Sequence, residues 1–205
     1  MKHALISVYD KSNLGLLCKI LKKNNYNFIS TGSTSKTIKK LGFKCLEISE
    51  ITKFKEILDG RVKTLNPKIF GSILYKREDK KHFKEFKNLK APSIDLVIVN
   101  LYPFKKFIGN KDKDKTIEMI DIGGPSLIRA ASKNYKYVTT ICNKKYYSKL
   151  INNLKKNNGE TDILFRKKMA EKTFEETSAY DKLINEWLTN KNSVNKKIKL
   201  RYGEN

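Results

Sequence analysis

Histidine is almost missing from this chain, with His3 and His82 its only two. Neither stands in a motif-like setting, so a histidine-based nucleophilic triad is excluded, and with no Cys/His cluster so is a zinc site. Cysteine is scarce as well. Cys18, Cys45 and Cys142 are odd in number, sit in apolar stretches and show no paired spacing. That excludes a disulfide framework and reads as reduced core thiols of a cytosolic protein. No apolar run approaches the ~20 residues that a bilayer span needs, and the opening M-K-H-A-L-I-S-V reads as a strand rather than a leader. A cytoplasmic protein without membrane association is expected. Acids are also few: 21 Asp+Glu stand against 44 Lys+Arg, a formal net charge of +23. The excess is mostly lysine scattered along the chain, among abundant Asn, Ile and Tyr. It ranks first as compositional drift, second as a preference for phosphates and last as a nucleic-acid footprint. No Arg-rich tract or aromatic-glycine strand signature occurs, so no specific nucleic acid is expected as a partner.

What is present is an alternation of strands and helices. Residues 4–8 read as a buried strand, followed by an amphipathic helix carrying Leu14, Leu17 and Leu21 with Ser12 as its N-cap. Residues 27–30 form a second strand that runs through S-T-G-S-T into a helix, and residues 43–48 a third. Residues 68–75 read as a further strand, and residues 78–89 as a charged surface helix with Phe83 and Phe86 turned inward. Residues 94–100, I-D-L-V-I-V-N, make the strongest strand, near-continuously apolar as at the centre of a parallel sheet. A strand over 137–142, a helix over 144–156 and a long amphipathic helix over roughly 162–188 complete the pattern. This is an α/β architecture, a parallel sheet covered on both faces, in which ligands bind at the carboxyl ends of the strands.

The polar residues at those ends have chemistry to match. After the first and second strands, Lys11 offers charge, Ser12, Thr31 and Thr34 offer hydroxyls, and Gly32 lets backbone amides turn toward a phosphate. Arg61 and Lys63 flank Val62, so an extended backbone aims both cations the same way. Tyr102 follows the strongest strand, where catalytic groups are expected. The stretch I-D-I-G-G-P-S-L-I-R-A-A-S-K-N, Ile120 to Asn134, sets Asp121 before a Gly123-Gly124 turn and opens a helix at Pro125. Bare amides at that helix start, beside an acid, make an anion or oxyanion site. Lys133 lies near the helix end on one polar face with Ser126 and Arg129. It can serve the same substrate as Asp121 only if the two share a cleft.

Several of these stretches together resemble one family: S-V-Y-D-K-S, S-T-G-S-T, D-G-R-V-K-T-L-N-P-K, V-N-L-Y-P-F and the I-D-I-G-G segment. They are similar to the cyclohydrolase domain of bifunctional purine biosynthesis enzymes, which join an inosine monophosphate (IMP) cyclohydrolase to an aminoimidazole carboxamide ribonucleotide (AICAR) formyltransferase. The resemblance implies a methylglyoxal-synthase-like three-layer α/β sandwich with a mainly parallel sheet. The reaction it implies is dehydrative ring closure of formyl-AICAR to IMP, with no metal or organic cofactor. It assigns Ser7, Tyr9-Asp10-Lys11-Ser12 and Thr31-Gly32-Ser33-Thr34 to the nucleotide and its phosphate. Arg61, Val62, Thr64 and Asn100 would also touch the nucleotide, with Ile122, Gly123 and Gly124 beside it. Lys133 (proton transfer), Asp121 (polarising the carboxamide), Lys63 (oxyanion partner) and Tyr102 would be catalytic.

The chain departs from the family where Asn66, Phe70 and Tyr135 stand for its usual histidines and Ser33 for a glycine, so proton transfer is expected to work without imidazole. Residues 1–190 are expected to form the cyclohydrolase domain, and 191–205 a linker and the start of an absent formyltransferase domain. Partners implied are a small purine nucleotide, that second domain, and a homodimer. Two readings of the same fold compete: a regulatory nucleotide-binding module, and a methylglyoxal synthase. The latter wants carboxylates beside its phosphate loop, where only Asp10 stands.

Overall fold

Leu5, Ile6 and Leu96 to Val99 are buried whichever way their side chains alternate, as strands covered on both faces must be. They belong to two neighbouring strands in a computed structural model that describes residues 1–189. The strands β1 (Lys2–Val8), β2 (Tyr26–Ser30), β3 (Cys45–Glu47), β4 (Leu96–Asn100) and β5 (Thr139–Ile141) form one sheet in the order β3-β2-β1-β4-β5. Every pairing is parallel, so the mainly parallel sheet expected is parallel throughout among the described residues.

Helices α1 (Leu14–Lys23), α2 (Gly32–Lys40) and α8 (Tyr147–Lys156) group together, with α1 touching both others. A second group is α4 (Pro67–Leu74), α7 (Gly123–Lys133) and α9 (Ile163–Leu188), in which α7 meets α4, α9 and β4. Short helices α3 (Ile48–Thr52) and α6 (Lys113–Ile117) and the surface helix α5 (Lys80–Asn88) fill the connections. The long closing helix does lie back across β5 and α7, as its amphipathic pattern predicts.

Four local expectations are corrected. Residues 68–75 are not a strand but α4. Asn66 caps it by accepting from the Lys68 amide, Pro67 takes the first turn, and Ile69 and Ile73, four apart, are buried together. Ser12 does not cap α1. That place belongs to Asn13 in the left-handed region (φ 62°), while the Ser12 amide and hydroxyl both go to Asp10. The third strand is only Cys45–Glu47, because Glu47 and Glu50 form a reciprocal capping box that starts α3 at Ile48. Phe83 stays exposed, whereas Phe86 stacks on Tyr75 at 4.0 Å between ring centroids. The domain boundary expected at residue 190 lies outside the described residues.

Candidate functional site

The strand order changes direction between β1 and β4, and a crevice opens there at the carboxyl ends. It holds a cavity of ≈ 950 Å³. Ser7, Tyr9 and Lys11 line it from the end of β1, Thr31 to Thr34 from the start of α2, and Asn100 and Tyr102 from the end of β4. Arg61, Lys63 and Thr64 enter from the connection between α3 and α4, and Asp121 to Gly124 from the start of α7. Three of these segments follow β1, β2 and β4 directly, so the sheet itself brings them together, and the other two are carried in by the connections before α4 and α7.

Each wall is fixed by identifiable bonds. The Thr34 hydroxyl is buried and bonds both the amide and the carbonyl of Val8, at 3.1 and 3.0 Å, tying α2 to β1. The Asn100 side chain accepts from the Asp10 amide at 2.9 Å and donates to the Asp10 carbonyl at 3.2 Å, clamping the loop after β1. Gly32 takes φ 53°, a region open to glycine, and its missing side chain leaves room for the Lys63 ammonium, 3.1 Å from where a Cβ would sit. Thr64, next in the chain, lies against Gly123. The Lys63-Thr64 segment thus touches both the start of α2, through Lys63, and the Gly-Gly turn, through Thr64. Tyr9 and Tyr102 meet edge to face at 5.4 Å.

Asp121 is placed by its own turn. Its carboxylate accepts the Gly124 amide at 2.8 Å, and a Cβ on Gly124 would run into that carboxylate and into Leu101. Burial pushes the Asp121 carboxyl above its usual range, while the amides of Gly124 and Tyr102 pull it back only in part. A carboxyl so placed exchanges protons closer to neutrality than an exposed one.

Four expected site residues do not line the cavity. Asp10 and Ser12 are turned to each other and to Lys144, whose ammonium meets Asp10 at 2.6 Å and Ser12 Oγ at 3.0 Å. Lys144 and two bonds from Ser12 hold the Asp10 carboxyl well below the usual carboxylate range. This pair shapes the loop that presents Lys11. Val62 pairs with Ile57 in a short antiparallel bridge, leaving its neighbours Arg61 and Lys63 to face inward. Lys133 is the largest departure. Helix α7 starts at the carboxyl edge of the sheet and runs back to the amino edge, carrying Lys133 about 15 Å from Gly123 at 1.5 Å per residue. There it is exposed, beyond the span of a lysine stem from Asp121.

Sequence reasoning missed Glu118, Met119 and Ile120, Asp59 and Gly60, and Val8, Ile117 and Leu127 in the lining. Glu118 pairs with Arg61 and Glu56 with Lys63, so both cations of the R-V-K-T segment meet carboxylates. No local pattern announces the Arg61–Glu118 pair, made across 57 residues of chain. Among the described residues, no group of three or more His, Cys, Asp or Glu could hold a metal ion, and no helix is long and apolar enough to cross a membrane.

Residues 14–126 match the MGS-like domain family and residues 131–205 the AICARFT/IMPCHase bienzyme family. The whole chain is 47% identical to the bifunctional purine biosynthesis protein PurH of Lactobacillus acidophilus and 46% identical to that of Clostridium botulinum. It spans 42% of the length of these curated relatives. The crystal structure of ForH superposes with a TM-score of 0.83 at 28% identity, over 92% of this chain and 97% of the other.

Proposed function

Since this chain belongs to the MGS-like domain family, we propose that its cavity is the active site of an IMP cyclohydrolase acting in purine biosynthesis. The observation that carries the reading is the convergence of Lys63, Tyr102 and Asp121 on one cavity that also holds the Thr31–Thr34 turn. A phosphate-binding module alone needs the turn but not the three side chains. A methylglyoxal synthase needs a carboxylate at the phosphate, and Asp10, the candidate from the sequence, is committed to Ser12 and Lys144.

The 5′-phosphate of formyl-AICAR fits the start of α2, where unpaired amides, the hydroxyls of Thr31 and Ser33 and the Lys11 ammonium favour an anion. The imidazole then reaches toward the Gly123-Gly124 turn. Its carboxamide nitrogen and formyl carbon are neighbours on one ring, so holding the near-attack pose supplies a large share of the rate, worth up to ~7–11 kcal/mol in well-oriented systems. Nitrogen attacks the formyl carbon, the C=O π pair moves to oxygen, and a carbinolamine forms. Loss of that hydroxyl with a proton releases water and leaves the closed pyrimidinone ring. Asp121, its carboxyl raised by burial, polarises the carboxamide N–H and accepts its proton. The ammonium of Lys63 stabilises the developing oxyanion. Tyr102, against Tyr9, bounds the reacting groups.

Lys133 keeps the proton-transfer role that the family resemblance gives it only if a second copy of the chain brings it to the cavity, and the reading therefore includes a homodimer. In a longer protein like its relatives, a formyltransferase domain would supply the formyl-AICAR used here. The test is to add formyl-AICAR to the purified chain without metal and follow ultraviolet absorbance as IMP forms. Binding without any IMP would favour the regulatory module.

A further inference from the structure

Tyr180 belongs to none of the motifs that define the cavity and does not line it. It sits on α9, 59 residues beyond Asp121, and is 9% exposed. Its hydroxyl accepts the Asp121 amide at 2.9 Å and donates to the Met119 carbonyl at 3.1 Å. One hydroxyl thus bridges both ends of Met119-Ile120-Asp121, a segment that lines the cavity and has no regular structure of its own. The same ring meets Phe104 edge to face at 6.3 Å, and Phe104 is buried two residues beyond Tyr102. We infer that Tyr180 is a positioning residue: its hydroxyl fixes the backbone that aims the Asp121 carboxylate, and its ring braces the turn that carries Tyr102.

The reasons are chemical. A phenol has one proton to give and lone pairs to accept with, so its two bonds here fix direction as well as distance. A partly buried amide and carbonyl left without partners would draw water or shift, moving the acid with them. The Asp121 carboxyl is anchored on its other side by Gly124 at 2.8 Å. Releasing the tyrosine side frees that carboxyl toward solvent, away from the burial that raises its proton affinity.

This inference rests on the cyclohydrolase reading for its kinetic arm only. Tyr180→Phe keeps the ring and removes both hydrogen bonds. In the full chain it should fold, and the Asp121 titration, followed by carboxyl-carbon NMR and assigned with Asp121→Asn, should move down toward the ordinary carboxylate value. Turnover of formyl-AICAR should drop about ten- to hundred-fold in kcat with little change in KM. The acid limb of its pH profile should move down with the titration. The counter-variant Phe104→Leu disturbs the ring contact and leaves the hydroxyl, so it should cost stability without moving the Asp121 titration. An unmoved titration in Tyr180→Phe would overturn the inference, whether or not the wild type makes IMP. So would a Tyr180→Phe protein that cannot fold, since that hydroxyl would then hold the structure and not the acid. A wild type that makes no IMP, with the titration shift intact, would instead remove the cyclohydrolase reading and leave the positioning role standing.

Discussion

Replacing Gly124 by alanine places one methyl group where the structure has no room for it. The new Cβ would lie 2.9 Å from Asp121 Cγ and 2.9 Å from Leu101 Cδ2. To reach the 3.5–4.0 Å of ordinary carbon contacts those atoms must retreat by roughly 0.6–1.1 Å. Overpacking of this kind costs ~1–3 kcal/mol, offset by at most about 1 kcal/mol from alanine's better helix propensity. The net loss of roughly 0–3 kcal/mol lowers the Tm of a domain this size by less than about 12 °C. The protein therefore stays folded. Activity suffers more, because a displacement near 1 Å at a reacting group costs about a hundredfold. Gly123→Ala is the matched comparison: its Cβ meets Thr64 Oγ1 at 2.7 Å, the end of a side chain that can turn away. Absorbance assays of IMP formation beside thermal unfolding curves should show Gly124→Ala folded and nearly inactive, and Gly123→Ala less impaired. Full activity in a folded Gly124→Ala protein would refute the claim that the Asp121 carboxylate acts from the position seen here.

Three further outcomes are expected. Asp121 has a folded-state pKa above its unfolded one, so between the two the native state binds more protons and stability falls as pH rises. Asp121→Asn should thus be more stable than wild type at pH 7, with an advantage that disappears below about pH 4, as read from urea unfolding at both pH values. Lys144→Ala frees Asp10 and Ser12 but touches no cavity wall, so KM should rise by up to about fivefold, the worth of an exposed ion pair, with kcat unchanged. Lys133→Ala and Lys63→Ala should each be inactive alone. Mixing and refolding them together should restore turnover in hybrid dimers, and no restoration would remove Lys133 from the site.

The sequence carried the fold through features that are local. Continuous apolar runs at residues 4–8 and 96–99 marked the central strands, and the loops after them had to be the ligand end. Where two local signals competed, the weaker-looking one won. The apolar run I-F-G-S-I-L passed for a strand, although Asn66 and Pro67 just before it make a helix start. Lys133 was left open by the sequence, which required it to share a cleft with Asp121; within one chain the helix between them carries Lys133 toward the opposite edge of the sheet. Glu118, Lys144 and Tyr180 could not be read at all. Each acts across a separation of 57 to 132 residues, at a distance fixed only by packing.

The most direct test of the account is conversion of formyl-AICAR by the purified 205-residue chain, in buffer with no added metal, followed by ultraviolet absorbance and confirmed by chromatography of the product. The account predicts IMP from the wild type and none from the Lys63→Ala or Asp121→Asn proteins, with all three folded. Equal IMP formation in the wild type and both variants, or none in any of them, would contradict it.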